Sequence, residues 1–351
     1  MARREVQRLA DRPATVSQAD LVASLVPPPR FRDVRFHTFE PDPGHPSQAA
    51  ARAAAETFAA RLTEGPGLQR RSRWRRRAPG PPEVRPGLYL DGGFGVGKTH
   101  LLAALWHASP APRAFTTFVE LTNLVGALGF EATVRALSGY RLLGVDEFEL
   151  DDPGDTVLMS SLLTRLVGSG VALAATSNTL PDRLGEGRFA AADFLREIQG
   201  LAAQFDVVRI DGDDYRHRHL GSPPTMLTSE QVAELALATP GCTLDHFVDV
   251  VRRLEEMHPS RYGPWVEGVT AVHWTDVRQL PDQSAALRFV VLVDRLYDRA
   301  VPVRASGAPL ADVFGPEMLS GGYRKKYFRA LSRLVSLTEG QTETEVSGST
   351  T

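Results

Sequence analysis

The chain has 351 residues, 42% hydrophobic and 23% charged, the proportions of a folded protein and not of a disordered one. Lys and Arg number 40 against 42 Asp and Glu, which argues against a globally basic nucleic-acid binder but leaves room for a local basic patch. Its single cysteine, Cys242, excludes an internal disulfide, and no apolar run is long enough to cross a membrane. No apolar segment follows Arg3 and Arg4, so the expectation is a soluble, cytoplasmic protein.

In chain order, the first feature is a Pro-rich stretch from Val26 to Pro46, interleaved with Phe31, Phe36 and Phe39. Proline forbids a long helix there, and the aromatic rings are expected to dock on a folded core. Ser47 reads as an N-cap for a helix with Ala51, Ala55, Phe58 and Leu62 on one face, ended by Gly65-Pro66-Gly67. Arg70, Arg71, Arg73, Arg75, Arg76 and Arg77 follow, with Trp74 among them. The cluster reads as a solvated connector or as a contact for nucleic acid, anionic lipid or an acidic partner. From Pro86 onward, short apolar runs alternate with helical patterns. Strands are expected at Leu88 to Leu90, Ala114 to Phe118, Leu142 to Val145, Val171 to Ala175 and Val207 to Ile210. Asp155 is expected to cap a helix carrying Leu158, Leu162, Leu163 and Leu166, closed by Gly168 and Gly170. Strand–helix–strand units of this length predict a parallel sheet with helices on both faces. Residues 213–285 read as an irregular insertion or second domain. Helices are expected at Leu287 to Tyr297 and Tyr323 to Leu337. The expected division is an arm and basic connector (1–85), a nucleotide-binding core (86–212), the insertion (213–285), a helical lid (286–337) and a disordered tail (338–351).

The strongest chemical signal is Gly92-Gly93-Phe94-Gly95-Val96-Gly97-Lys98-Thr99, between a predicted strand and a predicted helix. The glycines let backbone N–H groups wrap phosphate oxygens. Lys98 is suited to the β- and γ-phosphates of ATP, and the Thr99 hydroxyl to Mg²⁺. Leu142-Leu143-Gly144-Val145-Asp146-Glu147 is an apolar strand ending in two acids, the Walker B pattern. Asp146 would hold Mg²⁺ and Glu147 would orient the attacking water; a nucleotide kinase needs no such glutamate, whereas a hydrolase does. Thr176-Ser177-Asn178 ends the strand expected beside Walker B, and Asn178 is the candidate sensor of the γ-phosphate. Arg188 and Arg196 are candidate arginine fingers for a neighbouring subunit, which predicts a nucleotide-dependent homo-oligomer. Arg329 and Arg333, four apart on the last helix, are candidate second sensors. Arg216-His217-Arg218-His219 lacks the partners of a metal site. No Asn-Lys-x-Asp motif for guanine is present.

Further passages support a family resemblance: Pro46-Ser47-Gln48, His100-Leu101-Leu102 after the P-loop, Val145-Asp146-Glu147-Phe148, Asp214-Tyr215-Arg216, Leu296-Tyr297-Asp298 and Ser332-Arg333-Leu334. With them the chain resembles the ZapE family of bacterial cell-division ATPases, over roughly residues 31–337. The resemblance implies a P-loop, AAA+-like α/β fold and an ATPase acting near the division ring; no second small-molecule site is evident, so a protein partner is the expected object of the energy. It also implies association with the FtsZ machinery or the membrane periphery, with His100 beside the nucleotide. Many relatives carry Arg where this chain has Val96 and Asp193. Two other readings stay open: a DNA-associated motor or loader, suggested by the cluster at Arg70 to Arg77, and a scaffold switched by ATP with little turnover.

Overall fold

A computed structural model describes residues 6–13, 17–64, 87–93, 95–149, 153–181, 195–212 and 227–339. The arginine cluster at Arg70 to Arg77, Phe94, Arg188, Asp193 and the segment Asp214 to His219 lie outside the described residues. The chain divides into two compact units.

The first unit, residues 18–27 and 31–220, opens with α1 (Gln18–Ala23) and α2 (Pro46–Glu64). Then come β1 (Gly87–Gly92), α3 (Lys98–Ala108), β2 (Arg113–Thr117), α4 (Phe118–Leu128), α5 (Phe130–Leu137) and β3 (Leu142–Asp146). They are followed by α6 (Pro153–Gly168), β4 (Ala172–Ser177), α7 (Leu195–Ala202) and β5 (Phe205–Ile210). The strands form one five-stranded sheet in the order β2-β3-β4-β1-β5, parallel at every pairing. Alternation of side chains divides each buried strand between two cores. Leu88, Leu90, Phe115, Leu142 and Ala174 face the core built by Phe39, α2 and α3. Tyr89, Ala114, Leu143, Val145, Leu173 and Ala175 face the core built by α4, α5 and α6. The expected α/β class, with helices on both faces, is what the chain adopts.

Phe39 is buried, and Phe31 and Phe36 pack partly buried beside it, as the Pro-rich stretch predicted. Ser47 is not an N-cap. It lies inside α2, which starts at Pro46, and its hydroxyl accepts the Asp211 N–H at 2.9 Å. Phe118 starts a helix and does not end a strand; Thr117 caps α4 in a capping box with Glu120.

The second unit, residues 1–17, 28–30 and 221–351, contains α8 (Ser229–Ala238), β6 (Thr243–His246), α9 (Phe247–Glu256) and α10 (Tyr262–Trp265). After these come β7 (Val272–Val277), α11 (Gln283–Asp298), β8 (Val303–Gly307), α12 (Pro316–Ser320) and α13 (Arg324–Glu339). Strands β6-β7-β8 form a second, three-stranded parallel sheet. The described part of 213–285 is therefore regular, and it shares one apolar core with the helices assigned to a lid: Phe247, Trp265 and Trp274 pack with Phe289, Tyr327 and Leu334. The described residues of the expected insertion or second domain and of the expected lid lie in one compact unit. Its polar strand residues hid it. Buried Asp245 accepts the N–H groups of Leu9 and Ala10, each at 2.9 Å, so its partners lie 236 and 235 residues away. Burial pushes the Asp245 carboxyl up, and those two backbone hydrogen bonds partly offset the shift. His273 Nδ1 bonds the Thr243 carbonyl at 3.1 Å, and burial pushes its imidazole down. Among the described residues no helix is long and apolar enough to cross a membrane.

Candidate nucleotide-binding site

All three motif segments fall at the carboxyl ends of neighbouring parallel strands, the edge where open α/β sheets place ligands. The P-loop leaves β1, the Walker B acids end β3, and Thr176-Ser177-Asn178 ends β4. Register does the rest. Val145 pairs with Ala175 and Leu90 with Thr176, so Asp146, Thr176 and the start of the P-loop come level.

The loop has its shape for local reasons. Gly95 has φ 73° and Gly97 φ 86°, a region that glycine enters without a Cβ penalty. A Cβ on Gly97 would stand 2.5 Å from the Phe39 ring, so the docked arm also forbids a side chain there. A Cβ on Gly92 would meet the Ile210 carbonyl at 2.3 Å. Val96 is buried in the same apolar cluster as Phe39 and Ile210. Gln48 braces the far side. Its amide oxygen accepts the Asp42 N–H at 2.9 Å, and its amide nitrogen donates to the Asp211 carbonyl at 3.1 Å.

Lys98 and Thr99 begin α3. The Lys98 ammonium donates to the carbonyl of Gly92 at 2.9 Å, to that of Gly93, and to Asn178 Oδ1 at 2.8 Å. Thr99 Oγ1 lies 3.1 Å from both carboxylate oxygens of Asp146. The buried Thr176 hydroxyl donates to Asp146 Oδ1 and accepts the Glu147 N–H at 3.0 Å. Glu147 has φ 52°, a left-handed conformation costing a non-glycine residue about 1–2 kcal/mol. Asn178 Nδ2 points to Glu149 Oε1 at 3.4 Å. Lysine only donates and a carboxylate only accepts, so the orientation of the Asn178 amide between them is fixed by chemistry.

The structure thus brings together Lys98, Thr99, Asp146, Glu147 and Asn178. Two participants are absent from the sequence reading, Thr176 in its own right and Glu149. Thr176 was within reach, since a polar residue on a buried strand beside Walker B needs a partner. His100 presents its ring to the arm. Its Nε2 lies 2.9 Å from Thr38 Oγ1, and its ring stands edge-on to Phe39 at 5.5 Å. Burial pushes its imidazole down, and a hydrogen bond at the Arg35 backbone partly offsets this. Arg196 is exposed on α7. Arg329 and Arg333 belong to the second unit, where both are ion-paired with Asp294 of α11, Arg329 at 3.0 Å. The Thr99 hydroxyl and the Asp146 carboxylate are hard oxygen donors on adjoining elements, a donor set that suits Mg²⁺. Among the described residues no cluster of His, Cys, Asp and Glu offers another metal site.

The chain is similar to several known proteins. The family model described as AFG1-like ATPase matches residues 15–238 and 227–345. The cell division protein ZapE of Escherichia coli K12 is 30% identical over 295 residues, covering 71% of this chain and 76% of that one. Of the solved structures, DnaI gives a TM-score of 0.38 at 18% identity, covering 55% of this chain and 98% of that one. Domain III of DnaA from Thermotoga maritima gives 0.37 at 17% identity, over 77% and 85%.

Gly97→Ala combines a left-handed backbone with a collision against Phe39. Titration with a fluorescent ATP analogue is expected to show at least about a tenfold loss of affinity, the equivalent of about 1.4 kcal/mol. Unchanged affinity would remove the Phe39 contact from the account of the loop.

Proposed function

Given that the chain belongs to the AFG1-like ATPase family, we propose that it hydrolyses ATP with Mg²⁺ at this sheet edge and uses the energy to remodel a protein partner in cell division. The observation that carries the reading is the convergence of Lys98, Thr99, Asp146 and Asn178 around one point beside the P-loop, next to a strained Glu147. Strain at a non-glycine residue persists where the surroundings over-determine it, and such residues cluster at active sites.

The work divides by residue type. Backbone N–H groups of the loop and the start of α3 receive the phosphates. Lys98 already spans the carbonyls of Gly92 and Gly93 and the amide of Asn178, and phosphate oxygens offer its ammonium stronger, charged acceptors. Thr99 and Asp146 would hold Mg²⁺, which neutralises charge on the β- and γ-phosphate oxygens when bound. Glu147 orients the attacking water and accepts its proton, and Asn178 helps to place that water against the γ-phosphate. A protein partner is favoured because the name of the relative, a cell division protein, denotes a process and no small-molecule substrate. The FtsZ machinery and a peripheral membrane contact remain the partner classes implied by the family resemblance.

Lys98→Ala is expected to abolish ATP binding. Glu147→Gln is expected to keep binding while turnover falls about a hundredfold or more, as for a lost electrostatic group. Equal loss of binding in both variants, measured by equilibrium titration beside phosphate release, would contradict the assignment. Exposed Arg196, or Arg188, is proposed to complete the site of a neighbouring copy. Light scattering of Glu147→Gln with ATP should then show a larger species than without nucleotide. A monomer under both conditions, with specific activity independent of protein concentration, would return both arginines to structural roles.

A further inference from the structure

Both Walker B acids are tied to one residue of the neighbouring strand. Thr176 lies on β4, and its side chain is buried, with a relative exposure of 1% for the residue. The Glu147 N–H can only donate, so the Thr176 oxygen accepts it, at 3.0 Å. The hydroxyl hydrogen is then left for the Asp146 carboxylate, which can only accept. The Phe148 N–H also reaches Thr176, donating to its backbone carbonyl at 2.6 Å. Asp146, Glu147 (at φ 52°) and Phe148 therefore each hydrogen-bond to Thr176.

We propose that Thr176 is a positioning residue for hydrolysis: its one hydroxyl fixes the Asp146 carboxylate and the left-handed backbone of Glu147 together. The proposal rests on the ATPase reading above. Thr176 touches no reacting atom in this role. Its hydroxyl couples the carboxylate that would hold Mg²⁺ to the residue that would orient water, so that the two keep one relative placement. Nucleotide binding through the loop amides and Lys98 does not pass through this hydroxyl, and the consequence falls on turnover.

The side chain can be tested without changing its shape. Thr176→Val keeps the branched volume and removes both hydrogen bonds; Thr176→Ser keeps the hydroxyl and removes a methyl group. For Thr176→Val, kcat is expected to fall about a hundredfold, as for other lost preorganising hydrogen bonds, with ATP affinity in EDTA held within about twofold. Hydrogen–deuterium exchange of the peptide from Val145 to Phe148 should accelerate in the same variant, because the Glu147 N–H loses its acceptor. Thr176→Ser should restore kcat to within about threefold and restore slow exchange, since a serine hydroxyl makes the same two bonds. If the valine variant does not fold, shown by its thermal melt, Thr176→Ala against Thr176→Ser gives the same comparison. Wild-type kcat in Thr176→Val, or Ser and Val variants equally impaired, would overturn the proposal. A wild-type protein that binds ATP without hydrolysing it would overturn the ATPase reading instead, and the exchange measurement would still decide whether Thr176 fixes the turn.

Discussion

Asp146 receives two hydroxyl groups, Thr99 from the first turn of α3 and Thr176 from β4. That shared carboxylate joins three elements that are separate in sequence: the P-loop helix α3, the Walker B strand β3 and the strand β4 that precedes Asn178. It is buried at 7% exposure, where a hydrogen-bonded carboxylate is held firmly and an unpaired one would be costly. The strand order β3-β4-β1 is what makes the arrangement possible. Parallel pairing places all three strand ends on one edge, and the register sets Asp146 beside Thr176 within a residue.

The rest of the first unit holds that edge still. Phe39 fills the space over Gly97, Val96 is buried behind the loop, and Gln48 links Asp42 to Asp211. None of these residues is suited to chemistry. Their contribution is preorganisation: a loop already held by packed neighbours loses less on binding a ligand than one that must be ordered first. Phe39 and Gln48 are accordingly structural neighbours of the loop that follows β1.

Much of this was legible in the sequence because it is local. The glycine spacing, the apolar strand with two terminal acids and the Thr-Ser-Asn end of β4 each announce themselves over a few residues. The parallel class followed from the alternation of strands and helices. What was illegible is tertiary. Ser47 has the side chain of an N-cap, yet its hydroxyl serves Asp211. Strand β6, Thr-Leu-Asp-His, carries a buried aspartate whose partners are the amides of Leu9 and Ala10, so no nearby pattern could mark it as a strand. The same long-range pairing hid the second parallel sheet. Arg329 and Arg333 share a helix face, as read, but sequence gave no sign of Asp294 as their common partner.

The proposed meeting of metal and nucleotide binding at Asp146 can be measured by calorimetric titration with a non-hydrolysable ATP analogue. Wild type and Asp146→Asn are compared, each in Mg²⁺ and in EDTA. Mg²⁺ is expected to strengthen binding to the wild type by about tenfold or more, an effect of the size expected for a hydrogen-bonded charged contact, and this gain should vanish in the variant. Affinity in EDTA should be equal in the two proteins, or higher in the variant because a negative charge has been removed beside the phosphates. An undiminished gain from Mg²⁺ in Asp146→Asn would contradict the account.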